Sequence, residues 1–343
     1  MALWTDTIDP VTLTKYARKV AEFEDSADDS LAQFLPNEKI EGLWAEVPVT
    51  EEATEVDVAN YRAFDTDVNY AQTGGESMRA FRLAPLGQQL KISEQDQVTY
   101  LNANKGDKLK KAMARITDTI VRNTVARVEL ARAQALVEGR VTIPEVGIND
   151  DFGRKPEHNT VAAQLWDDPE APRIEYLKNL RRIYQDTNGE DPGCIYMSEL
   201  AFDQMLRGKE FVTVLNGGHE RAAREDEALA LLASYRLPKI VIAKRTVRLG
   251  GVKRRVMPVD KLLLLPEPVD INDAEGTQLG ATFWGQPLTA TEGGFSLGNM
   301  ELPGLVAYGR TLEDFQKNVR VDAIATPVLQ NPNLSLVAKV LAD

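Results

Sequence analysis

Hydrophobic positions change their spacing several times along this chain, and each change marks a different kind of element. Residues 1–55 carry isolated apolar anchors, Trp4, Leu13, Phe23, Phe34 and Trp44, set among acidic stretches such as EFEDSADDS. Anchors that sparse cannot enclose a core, so this part reads as an arm that needs another surface to lie on. Over residues 56–101 the pattern becomes an alternation broken by turn residues and centred on Gly74 and Gly75. This predicts a long two-stranded loop closed by a glycine turn, marginal by itself and leaning on something else. Residues 107–138 then run without Pro or Gly, and Leu109, Met113, Ile116, Ile120, Thr124, Val128 and Ala131 recur every three or four positions. That spacing lines one face of a helix. Asp107 is its expected N-cap and Gly139 its stop, which makes a rod of roughly 48 Å at about 1.5 Å per residue.

Beyond the rod, RVTIPEVGINDDFG predicts a hairpin, and a polar connection containing PEHN leads to a second helix over 172–185 that ends near Asn188-Gly189. GCIYMSELAFDQML reads as a strand running into a helix, and HERAAREDEALALLASY as another helix. PKIVIAKRTV reads as a strand that turns at Gly250-Gly251 into VKRRVMPV, and DKLLLLPEP as a buried strand. The closing stretch VRVDAIATPVLQNPNLSLVAKVLA gives one or two strands broken at Asn331-Pro332. Helices and strands do not alternate as a doubly wound sheet requires, so the expected class is α+β with extended appendages.

Charge adds a second layer to this pattern. The 343 residues carry 52 acidic and 40 basic side chains, a net charge of -12, so nucleic-acid binding cannot rest on overall charge. The excess is uneven: residues 1–60 hold 14 acids and 4 bases, whereas residues 105–140 hold 9 bases and 4 acids. The N-terminus is acidic where a signal peptide would be basic and then apolar, and no apolar run reaches the roughly 20 residues that span a bilayer. The expectation is a protein neither secreted nor membrane-spanning.

Candidate chemistry is thin. A single cysteine, Cys194, excludes an internal disulfide and fits a small buried hydrophobe, and two histidines, His158 and His219, leave little for a soft metal site. Ser198, Asp203 and His219 can be assembled on paper into a hydrolase triad, but the sequence has no nucleophile elbow. NGGHERA and TEGGFSLGN lack the strand, spacing and lysine of a phosphate loop and read as turns. No cofactor and no metal is expected. Residues 239–259 contain seven basic and no acidic side chains. A nucleic-acid hairpin would have that charge, but base-reading aromatic and polar residues are missing, so a hairpin facing solvent or another subunit is the favoured reading.

The order of these parts resembles the major capsid proteins of tailed bacteriophages with the Hong Kong 97 fold, lambda type, the phage major capsid protein E family. Three stretches carry the resemblance besides the order: LVEGRVTI leading to EVGINDDFGRKPEHN, IVIAKRTVRLGGVKRRVMPVDKLLLLPEP, and ELPGLVAYGRTLED followed by RVDAIATPVLQNPNLSLVAKVLA. The resemblance implies an N-arm over 1–55, an E-loop over 56–101, and a spine helix with the first part of the P-domain over 102–168. It places the A-domain mainly at 169–310 and the P-domain return with its closing strand at 311–343. It implies no enzyme but a structural subunit, forming pentamers and hexamers of an icosahedral shell around double-stranded DNA that is enclosed without sequence-specific binding. Assembly would take place in the host cytoplasm, without a membrane. The other implied partners are a portal, a decoration protein where one is used, and, since the chain begins at the arm, a separate scaffolding protein.

Inter-subunit contacts are expected from two sources. The acidic arm of one subunit, through Asp25, Asp28 and Asp29, is expected to cross a neighbour's basic spine field that includes Lys108, Lys110, Lys111 and Arg115. Arg79, Arg82 and Lys91 on the E-loop would touch adjacent subunits, with plain solvation as the alternative. Lys91 is the only lysine in 56–101, so covalent self-crosslinking is not expected. The rival of the same fold is an encapsulin shell holding enzyme cargo; a soluble enzyme built on the mixed domain is the rival of another class.

Overall fold

The structure is a computed structural model, and it describes residues 2–3, 8–49, 77–101, 106–214, 223–271, 277–291, 303–311 and 317–342. Trp4, Gly74, Gly75 and His219 lie outside the described residues, as do all of NGGHERA and all of TEGGFSLGN but Thr291.

The spine helix runs over Gly106–Glu138, 33 residues, as the periodicity predicts. Its first half buries one stripe, Met113, Ile120, Val121 and Val125. Its last turns are surrounded: Ala133, Ala135, Leu136 and Val137 are all buried, and so are Glu129 and Arg132. Gly139 ends the helix in a left-handed conformation, φ +67°.

The N-terminal segment does not stand off as an arm over its described part. A first helix, Pro10–Asp25, is capped by the Asp9 side chain, which accepts from the Thr12 N–H, and has Pro at its first turn. Its apolar stripe, Leu13 and Ala17, goes into a core shared with the spine helix and with strand residues Val319, Val321 and Ala323. The two helices run in the same direction. Asp118 lies beside Tyr16 and raises its pKa, Glu24 pairs with Arg122 at 3.1 Å, and the Leu31 N–H donates to Glu129 at 2.7 Å. Sparse anchors suffice because the remaining surface comes from the same chain.

Two sheets organise the rest. In a six-stranded sheet the long strand Lys317–Leu329 pairs antiparallel with Val306–Thr311, Gly280–Gly285 and Pro85–Lys91. Asn37–Lys39 adds to Gly280–Gly285 in parallel, and Ala2–Leu3 adds to Val306–Thr311. The five-stranded sheet runs in the order Lys239–Ala243, Cys194–Ser198, Lys261–Leu265, Leu336–Lys339, Asn159–Val161. Its apolar strands KLLLL and CIYMS sit in the middle, under helices Arg173–Asn188, Glu199–Leu206 and Glu225–Ser234. The closing strand Leu336–Lys339 therefore belongs to a different sheet from the long strand that precedes it. A short 3-10 turn, Pro332–Leu334, makes the crossing, with the Asn331 side chain capping it.

Two expectations change in detail. The described partner of Ser77–Arg82 lies before the expected loop, and the residues around Gly74 and Gly75 are outside the described residues. Ser77–Arg82 pairs antiparallel with Trp44–Val49, from Trp44↔Arg82 to Val49↔Ser77, so this strand is joined to the N-terminal segment. The strand expected from PKIVIAKRTV is interrupted at Lys244-Arg245. Lys239–Ala243 stays in the five-stranded sheet, while Thr246–Leu249 leaves to form a separate hairpin with Val252–Arg255, turning through Gly250 and Gly251 at positive φ. The reason is Arg245, which turns inward between the two strands.

Candidate functional site

Arg245 leads into a buried cluster of charge where four parts of the chain meet. Arg132 of the spine helix is fully buried and uses all three guanidinium nitrogens. Its Nη1 donates to Asp25 Oδ1 at 2.8 Å and to Glu129 Oε2 at 3.0 Å, its Nη2 to Asn37 Oδ1 at 2.7 Å, and its Nε to Thr282 Oγ1 at 2.9 Å. Asn37 donates on to Asp25 and accepts from the Trp284 indole N–H; Thr282 donates to the Leu35 carbonyl. Arg245 completes the set, with Nη1 at 3.2 Å from Glu129 Oε1, close but poorly aligned for a hydrogen bond, and Nη2 donating to the Glu24 carbonyl at 2.6 Å. Two carboxylates face two guanidiniums, so the cluster is neutral. Burial alone would lower the pKa of Arg132, but Asp25 and Glu129 outweigh it and raise the pKa. The cluster ties the first helix, the spine helix, the six-stranded sheet and the loop leaving the five-stranded sheet into one joint.

A second buried cation holds the far end of the spine helix. Arg154 Nη1 and Nη2 donate to the Leu136 and Val137 carbonyls, each at 2.7 Å, and further to Ser335 and Asn159. A guanidinium on the last free carbonyls satisfies them and complements the helix dipole. Burial pulls the Arg154 pKa down to about 10, against the favourable charges of Asp151 and Glu138. Next to it His158 is fully buried, and neither ring nitrogen has a hydrogen-bond partner among the described residues. Burial, with the charge of Arg154, holds its pKa down at about 4.

None of this resembles a reaction centre. Ser198 is a helix cap that accepts from the Ala201 N–H and donates to the Val259 carbonyl. Burial pushes the Cys194 thiol up to about 12, as suits a packing residue. Among the described residues there is no group of acidic, His or Cys side chains that could hold a metal, and no helix is long and apolar enough to cross a membrane.

Comparison with known proteins settles the class. A sequence model of the phage major capsid protein E family matches residues 11–276. The chain belongs to this family. Two solved structures share its fold at TM-score 0.60. One is a phage-related protein from Bordetella bronchiseptica, 15% identical, with 99% of this chain and 98% of that one covered. The other is described as a prophage capsid protein from Escherichia coli CFT073, 14% identical, with 98% and 99% covered. No curated protein sequence matches. This is a structural capsid protein with the Hong Kong 97 fold, whose place is the virion shell.

For a capsid protein the working surfaces are those that meet other subunits. Asp25 has to be withdrawn from that set: it is buried and bound to Arg132 and Asn37 of its own chain. Asp28 is exposed and Asp29 half-buried, and among the described residues each is hydrogen-bonded through its backbone carbonyl, to Gln33 and Tyr196. Lys110, Lys111 and Arg115 are exposed on the first half of the spine helix; Lys108 stands in its first turn, with its side chain outside the described residues. The acidic end of the first helix lies beside residue 129, some 18 residues from Lys111, or about 27 Å along the axis. These opposite charges therefore do not meet within one chain. Arg82 and Lys91 are exposed, on the Ser77–Arg82 strand and at the end of Pro85–Lys91, while Arg79 is half-buried beside Gly153. The joint itself was not foreseen: Glu129 and Arg132 were counted as surface charge. Their one sequence signal is position, since both fall inside the stretch of helix where apolar residues occur on every side.

Proposed function

We propose that copies of this chain assemble as pentamers and hexamers into the icosahedral head of a tailed phage, formed in the host bacterial cytoplasm and enclosing double-stranded DNA without reading its sequence. A portal and a scaffolding protein are the expected partners, with a decoration protein where one is used. The A-domain is proposed mainly at 169–310, around the five-stranded sheet and its helices, and the P-domain around the spine helix and the return at 311–343. The closing strand Leu336–Lys339 joins the five-stranded sheet, and Gly280–Gly285 and Val306–Thr311 join the six-stranded one. Asp28, Asp29, Arg79, Arg82, Lys91, Lys108, Lys110, Lys111 and Arg115 are proposed to lie at contacts between subunits.

The observation that favours this reading is the outer face of the ribbon made by Trp44–Val49 and Ser77–Arg82. Its inner face, Ala45, Val47 and Phe81, is buried, whereas Trp44 is 57% and Met78 61% exposed on the outside. A two-stranded ribbon is marginal in water, and large apolar side chains on its free face are a liability unless a partner covers them. In a closed shell of identical subunits a neighbour is always present to do so. Electron microscopy of the purified protein tests the proposal: icosahedral shells are expected, and a small discrete oligomer at all concentrations would overturn it. Particles purified from producing cells are expected to carry DNA and a portal; cargo enzyme in their place would identify an encapsulin.

A further inference from the structure

The exposed surface holds one knob and one cleft of opposite character. The knob is the end of the first helix. Residues 22–29 carry five acids and no base, and at their centre Phe23 is 73% exposed, the most exposed aromatic side chain among the described residues. Glu22 and Asp28 beside it are also exposed. An aromatic ring that sheds this much water-facing apolar surface on contact is a strong anchor for a protein interface.

The cleft lies between the spine helix and the basic hairpin Thr246–Leu249 with Val252–Arg255. It has two neighbouring parts of about 540 and 600 Å³, both lined by Arg127, Leu130 and Leu249. Leu86, Leu130, Val137 and Val256 floor the first part, and Arg127 and Arg254 stand at its rim. The hairpin register puts Val247, Leu249, Val252 and Arg254 on one face, and Thr246, Arg248, Lys253 and Arg255 on the other. Arg248 faces Lys253 directly across the strands, a like-charge pair that destabilises the hairpin as it stands. On that basic face only Arg255 has a carboxylate near it among the described residues, Glu199 at 3.9 Å. The basic face is therefore open to an anionic partner. Leu249 and the 59% exposed Val252 at its tip decide which kind: aliphatic side chains gain nothing against a phosphate backbone but are covered by an acidic polypeptide that also brings an apolar group.

We infer that the acidic end of the first helix of one copy, residues 22–29, docks in this cleft of a second copy, with Phe23 seated on the apolar floor and Glu22 and Asp28 against the basic hairpin. This rests on the assembly reading and names a contact within it. It also gives the acidic segment a new address, the second half of the spine helix and its overhanging hairpin, in place of the field at Lys108–Arg115 expected from the sequence. Glu24, the neighbour of Phe23, lines the cleft of its own chain through Arg122 and Arg245. Knob and cleft thus sit side by side, and each copy can give and receive at once, the condition for a two-fold contact.

Two variants with one added cysteine each, Ser26→Cys and Val252→Cys, keep the Phe23 anchor and test the contact when they are assembled together in one particle. The native Cys194 is buried and stays out of the reaction, and separate chains exclude a bond within one subunit. Mild oxidation of mixed shells is expected to give a disulfide-linked dimer on a non-reducing denaturing gel, several-fold stronger than in shells of either variant alone. Intact shells without that dimer would overturn the contact and leave the assembly reading standing; wild-type protein that forms no shells would remove the assembly reading itself. If the Ser26 variant alone fails to assemble, Ala27→Cys with Val252→Cys also keeps the anchor and carries the same test with the same two outcomes.

Discussion

At the scale of single residues, the buried charges are where small changes have large effects. Removing one member of a buried ion cluster leaves its partners desolvated and uncompensated, which costs about 3–5 kcal/mol. Arg132→Met should therefore destabilise the unassembled subunit by about that amount in a urea titration, because both Asp25 and Glu129 lose their principal partner. A loss below about 1 kcal/mol would mean that water reaches the joint. His158 acts through pH instead. Its pKa is about 4 in the folded chain against an ordinary 6.5, so below pH 6.5 the unfolded chain binds a proton that the folded chain refuses. The stability tied to His158 is complete above pH 6.5 and is lost as the pH falls towards 4, by about 2 kcal/mol at pH 5. His158→Leu should flatten the stability profile between pH 7 and 5, and a profile that falls as steeply as before would show that other groups set it.

At the scale of elements, what was legible in the sequence is what depends on local pattern. The spine helix is fixed by a long 3.6-residue period with no breaker, and its observed bounds differ by one residue from the expected ones. The strand-to-helix passage at Cys194–Ser198 follows from an apolar run that ends in a capping serine. Pairing is another matter. Nothing local tells Ser77–Arg82 to choose Trp44–Val49 as its partner, because register is set by which face must be buried, and the face in question covers Phe152 of a distant segment. For the same reason the inward turn of Arg245 was not legible, since its partners Glu24 and Glu129 come from two other elements. The end of the spine helix combines both levels. Gly139 is placed by a local rule, but an added Cβ would also meet the Arg154 side chain at 3.1 Å. Gly139→Ala should cost about 1–2 kcal/mol from the left-handed backbone alone. A further loss from the displaced guanidinium should be read as faster amide exchange over the last turn of the helix.

At the scale of the whole molecule, fold and assembly draw on neighbouring acidic residues, and the structure separates them. Asp25, Asp28 and Asp29 look equivalent in the sequence, one acidic tract opposite a basic helix. Reversing all three together would confuse two effects, because Asp25 is part of the interior while the carboxylates of Asp28 and Asp29 hold nothing by hydrogen bond among the described residues. Surface charge reversals away from partners stay within about 0.5 kcal/mol of the parent. Asp28→Lys with Asp29→Lys should accordingly leave the unassembled subunit with the melting temperature and circular dichroism of the parent. It should lower the yield of shells severalfold, more so at low salt, where screening is least. Asp25→Lys should do the opposite in kind: it puts a second cation against Arg132 in a dry site, so the subunit itself should fail to accumulate in folded form. The pair of measurements, melting of the subunit and sedimentation of the assembled fraction, distinguishes the two. A double variant that melts normally and assembles normally would remove the acidic segment from the contacts between subunits. A stably folded Asp25→Lys subunit would mean that the first helix can leave the joint, and with it that the segment is free to act as an arm after all.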